Sequence, residues 1–229
     1  MLEPVAILTP VVDILDLLGV ALFALSGALL AAKERQTFVT MAFFAVVTGV
    51  GGGTIRDVLI DAPVFWVADA WVAAICLGTA VIAWFTPTRW WDGKLLDFAD
   101  GLGLTAYAVL GASKAMTYGI PPVPAMMMGV ITGCVGGIIR DVVAGRPSII
   151  MRPELYVTAA ALSATLCVAG TVADLPNYVT WSVATAAGFA LRSAAISFNW
   201  ALPYYREGRI GIKNPKPPRG EAAVEDTPG

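Results

Sequence analysis

Thr48-Gly-Val-Gly-Gly-Gly-Thr-Ile-Arg56-Asp57 places three consecutive glycines and an adjacent Arg–Asp pair inside an apolar run long enough to cross a bilayer. Glycine is about 1 kcal/mol worse than alanine at an interior helix position. A charge at the centre of a membrane helix costs about 2.5–3.5 kcal/mol on insertion scales. The pattern nevertheless returns, as Thr132-Gly-Cys-Val-Gly-Gly-Ile-Ile-Arg140-Asp141, at an offset of 84 residues. Held at that offset without a gap, residues 16–63 match residues 100–147 at 18 of 48 positions, including Gly19/Gly103, Gly27/Gly111, Gly49/Gly133 and Pro63/Pro147. The chain is therefore an internal duplication. In membrane transport proteins, glycine-broken helices at matching positions of two repeats point to the permeation site.

Composition places the duplication in a membrane. The chain is 57% hydrophobic and only 14% charged, with a mean hydropathy of +0.72, whereas a soluble domain carries about 25% charged residues. Histidine is absent, which removes the usual proton shuttle and the commonest metal ligand. Cys76, Cys134 and Cys167 lie in apolar segments without CxxC spacing and read as small buried hydrophobes. There is no HExxH and no phosphate loop ending in Gly-Lys-Ser/Thr, and Ser26-Gly27 alone makes no nucleophile site. No enzyme, catalytic residue, metal, cofactor or nucleic-acid partner is expected. The N-terminal residues lack a basic n-region, so a cleaved signal peptide is not expected.

A bilayer core takes about 20 mainly apolar residues per helix, and seven segments qualify: 11–32, 38–60, 68–86, 97–118, 122–145, 154–172 and 178–199. The predicted class is an all-α integral membrane protein. Three spans form repeat one (residues 11–86), three form repeat two (97–172), and a seventh helix (178–199) stands alone before a polar, Pro-rich tail (203–229) expected to be disordered. Three is odd, so the second copy enters the membrane from the opposite side and the repeats are inverted. Basic residues collect on one side: Lys33, Arg35, Arg89, Lys94, Arg146, Arg152 and those of the tail. The other side offers only Lys114. The positive-inside rule then puts the C-terminus in the cytoplasm and the N-terminus outside. Tyr and Trp near span ends, among them Trp66, Trp71, Tyr156 and Tyr178, suit an interfacial belt. Spans one and four carry small residues at four-residue spacing, Ala24/Ala28 and Gly27/Ala31 matched by Ala108/Ala112 and Gly111/Ala115. Such faces let helices approach closely, within one subunit or between subunits.

The glycine clusters, Gly49, Gly51, Gly52 and Gly53 in repeat one and Gly133, Gly136 and Gly137 in repeat two, predict a kink or an unwound turn. Tight helix packing without a break is the alternative. Successive residues point about 100° apart on a helix, so Arg56 and Asp57 are not ideal partners for each other. Pairing across the repeats is expected instead: Arg56 with an acid of the second copy, Arg140 with one of the first. Asp57 and Asp141 are expected in the first turn after the break, at a positive helix end. Together the four charges form either a structural ion-pair lock or a polar constriction that ions cross. Asp13/Asp97 and Asp16/Asp100 also recur at offset 84; at the start of a span their first reading is an N-terminal cap, their second a vestibule charge or a partner for the arginines. Lys114 and Arg192 have no repeat mates. Ser26, Thr48 and Thr132 are candidates for lining a path or for bonding back to their own helices.

At these residues the sequence resembles the prokaryotic branch of the trimeric intracellular cation (TRIC) channel family. The marks are Gly-Gly-Gly-Thr-Ile-Arg-Asp at residues 51–57, Gly-Gly-Ile-Ile-Arg-Asp at 136–141, and the Asp–x–x–Gly starts at Asp16 and Asp100. The resemblance implies a homotrimer with one pore per subunit, lined by kinked helices two and five, passing monovalent cations and chiefly potassium in a prokaryotic inner membrane. It implies the bends at Gly51, Gly52, Gly53, Gly136 and Gly137, and the charged constriction at Arg56, Asp57, Arg140 and Asp141. Animal members carry Lys-Glu-Val and bind a phosphoinositide where this chain has Ile55-Arg56-Asp57, so regulation by that lipid is not carried over. Val135 stands where repeat one has Gly51, which implies an unequal bend. The other readings are a secondary transporter of a small zwitterion such as glycine, built from the same paired breaks and opposite charges, and a non-conducting scaffold.

Overall fold

The structure, a computed structural model, describes residues 5–87, 90, 95–151 and 153–203. The tail from residue 204 onward, and Arg89, Lys94 and Arg152 of the basic set, lie outside the described residues. Seven helices of sixteen residues or more run through the described chain: α1 (Val5–Lys33), α2 (Phe38–Leu59), α4 (Ala70–Phe85), α5 (Leu95–Thr117), α6 (Pro122–Val143), α7 (Val157–Val172) and α8 (Asn177–Phe198). A four-residue helix, α3 (Phe65–Ala68), follows α2, and a 3-10 turn (Ile149–Met151) follows α6. Regular structure among the described residues is otherwise limited to one antiparallel bridge between Glu154 and Ala201.

Each expected span falls on one long helix. Local chemistry sets several boundaries. The Thr37 hydroxyl accepts the Thr40 amide at 3.3 Å to start α2, and Asp69 accepts the Trp71 amide at 2.9 Å to start α4. Pro122 opens α6, where a missing N–H is harmless. Asn199, in the left-handed conformation at φ 53°, ends α8. The stretches Asp16–Lys33, Phe38–Leu59 and Pro122–Val143 are long and apolar enough to cross a membrane. At 1.5 Å per residue α2 and α6 reach about 33 Å, against a hydrocarbon core of about 30 Å.

Helices α1, α2 and α4 pack on one another, as do α5, α6 and α7, with α8 against α5 and α7. The two groups meet where α2 crosses α6, and the contact is reciprocal. A Cβ on Gly52 would lie 2.2 Å from the carbonyl oxygen of Thr132, and one on Gly136 would lie 2.9 Å from that of Thr48. Both residue pairs stand 84 apart.

Neither α2 nor α6 is unwound at its glycines: both are α-helical from end to end. The expected unwound turn is therefore corrected. Close packing in the interior outweighs the low helix propensity of glycine, and the carbonyls and amides of these turns stay paired along the helix. The small faces also find their partners inside the subunit. Ala24, Ala28, Ala31, Ala108, Ala112 and Ala115 are all fully buried in the single chain, and Gly27 and Gly111 lie against α2 and α6, near Thr48 and Thr132.

Candidate functional site

Two charged networks flank the crossing, each built from one copy of the sequence. In the first, the guanidinium of Arg56 in α2 reaches back to α1, with Nη1 3.1 Å and Nη2 3.4 Å from the two oxygens of Asp16. Its Nε donates to Asp57 Oδ1 at 2.8 Å. The other oxygen of Asp57 accepts the backbone N–H of Phe65 at 3.0 Å, which ties down the segment after α2. The Phe65 ring lies under the guanidinium at 5.7 Å, and the Tyr107 hydroxyl lies 3.3 Å from the Asp16 carbonyl.

The second network repeats this plan. Arg140 Nε donates to Asp141 Oδ1 at 3.0 Å and Nη1 lies 2.5 Å from Asp100 Oδ1. Asp141 Oδ2 accepts the N–H of Ile149 at 2.8 Å. Phe65 and Ile149 both stand eight residues after their aspartates.

Three sequence expectations are corrected here. The arginines pair within their own copy, because α1 runs beside α2 and α5 beside α6, and a guanidinium reaches the neighbouring helix without crossing the repeat boundary. Arg56 and Arg140 also bond their own following aspartates, since a long arginine side chain can fold back through Nε where helix geometry alone sets the Cβ directions apart. Asp57 and Asp141 lie in the last turn of continuous helices, near the negative end of the dipole. The guanidinium and the incoming amide compensate for that position. Asp16 lies in the interior of α1 and Asp100 in that of α5, so neither caps a helix. Asp97 lies in the first turn of α5.

The copies are linked through residues that have no repeat mate. Lys114 of α5 places Nζ 2.9 Å from Asp57 Oδ1 in the first network. Ser26 of α1 donates to Asp100 Oδ1 at 3.1 Å in the second, and its oxygen accepts from Arg140 Nη1. The networks differ in access as a result. Arg56 and Asp57 are wholly buried and Lys114 lies across them. The second network opens on a cavity of about 130 Å³ lined by Ser26, Lys33, Asp97, Asp100, Arg140 and Asp141. Arg146, also at this cavity, pairs with Glu34 in the open. Both of these side chains are about two-fifths exposed, so Glu34→Gln is expected to change the unfolding free energy by less than about 1 kcal/mol, as chemical denaturation in detergent would read. Thr48 and Thr132 are buried away from this cavity, and Thr132 bonds back to Met128 of its own helix at 2.6 Å.

The family model described as glycine transporter matches the chain twice, over residues 13–88 and 97–171. The solved structure of the TRIC trimeric intracellular cation channel orthologue from Rhodobacter sphaeroides is 37% identical and superposes with a TM-score of 0.77, covering 83% of this chain and 99% of that one. The inner membrane protein YadS of Escherichia coli strain K12, of the UPF0126 group, is 38% identical over 83% of this chain and 94% of its own length. The chain belongs to the TRIC/UPF0126 family. A further TRIC family member, YvgT of Bacillus subtilis strain 168 in the UPF0126 group, is 32% identical over 83% of this chain and 95% of its own. A prokaryotic TRIC channel solved in 0.5 M KCl has a TM-score of 0.76 at 26% identity, over 85% of this chain.

Sequence reasoning about this TRIC family chain missed the aromatic residues. Tyr156 was assigned to the interfacial belt but is 1% exposed, and Tyr107 is equally buried. An aromatic at a helix end suits an interface and an interior equally well. The signal for Phe65 was the equal eight-residue spacing that it shares with Ile149.

Proposed function

We propose that this chain is a cation channel of the inner membrane that passes monovalent cations, chiefly potassium, along a path at the crossing of α2 and α6. The observation that carries the reading is the asymmetry of the two networks. The second sets two carboxylates, Asp100 and Asp141, against one guanidinium beside an open cavity, which favours a small cation over an anion. The first is charge-balanced, Arg56 and Lys114 against Asp16 and Asp57, and sealed. It is the gate in this conformation, and the cavity is the vestibule.

The same proposal takes residues 11–86 and 97–172 as inverted repeats with 178–199 as a seventh membrane helix, and three copies as the assembly. Reciprocal contacts at Gly52/Thr132 and Gly136/Thr48 support an approximate two-fold relation between the copies. The Glu34–Arg146 pair brings basic residues from both copies to one end, in keeping with a cytoplasmic C-terminus and an external N-terminus. Gly51, Gly53 and Gly137 give α2 and α6 the freedom to bend when the gate moves. Relatives solved as TRIC cation channels support conduction.

Single-channel recording of the purified protein in a planar bilayer tests this. Discrete potassium currents in the picoampere range are expected, and their absence together with saturable glycine uptake would replace the channel with a small-zwitterion transporter. That second reading draws on the family model's description and on the paired opposite charges. Opening the gate must part Lys114 from Asp57. Lys114→Met removes an ion pair worth on the order of 1–2 kcal/mol and is expected to raise the open fraction about ten-fold. An unchanged open fraction would remove Lys114 from the gate.

A further inference from the structure

Arg192 belongs to α8, outside both copies, and is 2% exposed. Its surroundings join it to the second network from two directions. The stem lies against Gly101, the residue after Asp100, where an added Cβ would meet Arg192 Cγ at 2.9 Å. The head donates from Nη2 to Glu154 Oε2 at 2.7 Å and lies over the Tyr156 ring, 5.3 Å from its centroid. Tyr156 in turn reaches into the network: a Cβ on Gly137 would lie 2.7 Å from its hydroxyl, which lies beside the Asp100 carboxylate. Both the Tyr156 hydroxyl and Asp100 Oδ2 are buried without a hydrogen bond, although the two are neighbours. Asp100 meets Arg140 through Oδ1 alone.

We propose that Arg192, through Tyr156, is a positioning residue that holds the Asp100 carboxylate in a one-point contact with Arg140 and so keeps an acidic oxygen available to the vestibule. The inference rests on the channel reading above. A cation over an aromatic face restrains the ring, and the stem against Gly101 fixes the backbone that presents Asp100. Freed of Tyr156, the carboxylate turns its second oxygen to the guanidinium, because the two-point pair is the stronger geometry. The vestibule then loses part of its attraction for cations.

Potassium currents of the full chain in planar bilayers, with thermal melts of the same preparations, test the proposal on Arg192→Gln, Tyr156→Phe, the double variant and Arg192→Lys. Each of the first two is expected to lower unitary conductance about three-fold, the effect of a weakened charge at a few ångströms in a partly screened site. The double variant is expected to lose no more than either single one, and Arg192→Lys to recover part of the loss. Tyr156→Phe leaves the net charge unchanged, so its agreement with Arg192→Gln separates positioning from the charge of Arg192 itself. Unchanged conductance in both single variants, with only a lower melting temperature, would overturn the proposal. If the unaltered protein carries no unitary current, the channel reading fails instead, and a structure of Arg192→Gln decides the positioning claim. Asp100 in a two-point pair with Arg140 upholds it, and the one-point contact retained refutes it.

Discussion

Asp57→Ala is expected to destabilise the folded chain by about 3–5 kcal/mol, the range for breaking a buried ion pair by removing one partner. Asp57 is fully buried and serves three donors at once: Arg56 Nε, Lys114 Nζ and the Phe65 amide. Its removal leaves two cations facing each other and an amide unpaired in an interior without water, and a buried donor without an acceptor is itself costly. Asp57→Asn keeps an oxygen for the Phe65 amide and loses only the charge, so its loss is expected to be smaller. Asp16→Ala leaves Arg56 still bonded to Asp57 and should also fall below Asp57→Ala. Denaturant unfolding in a mild detergent measures the series. A loss under about 1 kcal/mol for Asp57→Ala would mean that water reaches this network and that the gate is not sealed there.

That ordering of variants was not legible in the sequence, although the residues were. The duplication, its offset and the recurrence of Asp16, Arg56 and Asp57 as Asp100, Arg140 and Asp141 are matters of identity and spacing, and the structure brings each set together. Which acid each arginine takes depends on which helices are neighbours. An offset of 84 says that Arg56 and Arg140 have equivalent surroundings, but it is equally satisfied by pairing within copies or across them. The links between copies come from Lys114 and Ser26, whose equivalents are Leu30 and Leu110, so an argument built on repeated residues passes over them. Tyr156 and Arg192 were hidden for another reason. Each is read from its own helix as an interfacial or snorkelling side chain, and only the packing of α8 against α5 and α7 puts one over the other. Helix continuity at the glycines was misread because propensity is a local quantity. A few kcal/mol of local preference yields to the packing of two helices whose backbones nearly touch.

Gly52→Ala is the second large effect. The added methyl would stand 2.2 Å from the Thr132 carbonyl oxygen and 3.5 Å from the Gly136 nitrogen. Both are backbone atoms of a helix held on its other sides by α5 and α7, so no rotamer change relieves the clash and α2 and α6 must separate. Overpacking of this kind costs about 1–3 kcal/mol and sometimes more; alanine's better helix propensity returns about 1 kcal/mol of it. The net loss is expected near 2 kcal/mol, with conduction altered in the same variant because the path runs at this crossing. Gly136→Ala meets Thr48 at 2.9 Å and is expected to lose less. Gly78→Ala, with nothing within 4 Å of the new methyl, is expected to gain about 0.5–1 kcal/mol. Unfolding free energies should therefore fall in the order Gly78→Ala, unaltered chain, Gly136→Ala, Gly52→Ala. A Gly52→Ala chain as stable as Gly78→Ala would show that the two backbones do not touch there. The charged ends of α2 and α6 would then have no common crossing to fix their separation, and a path defined by that crossing would have to be given up.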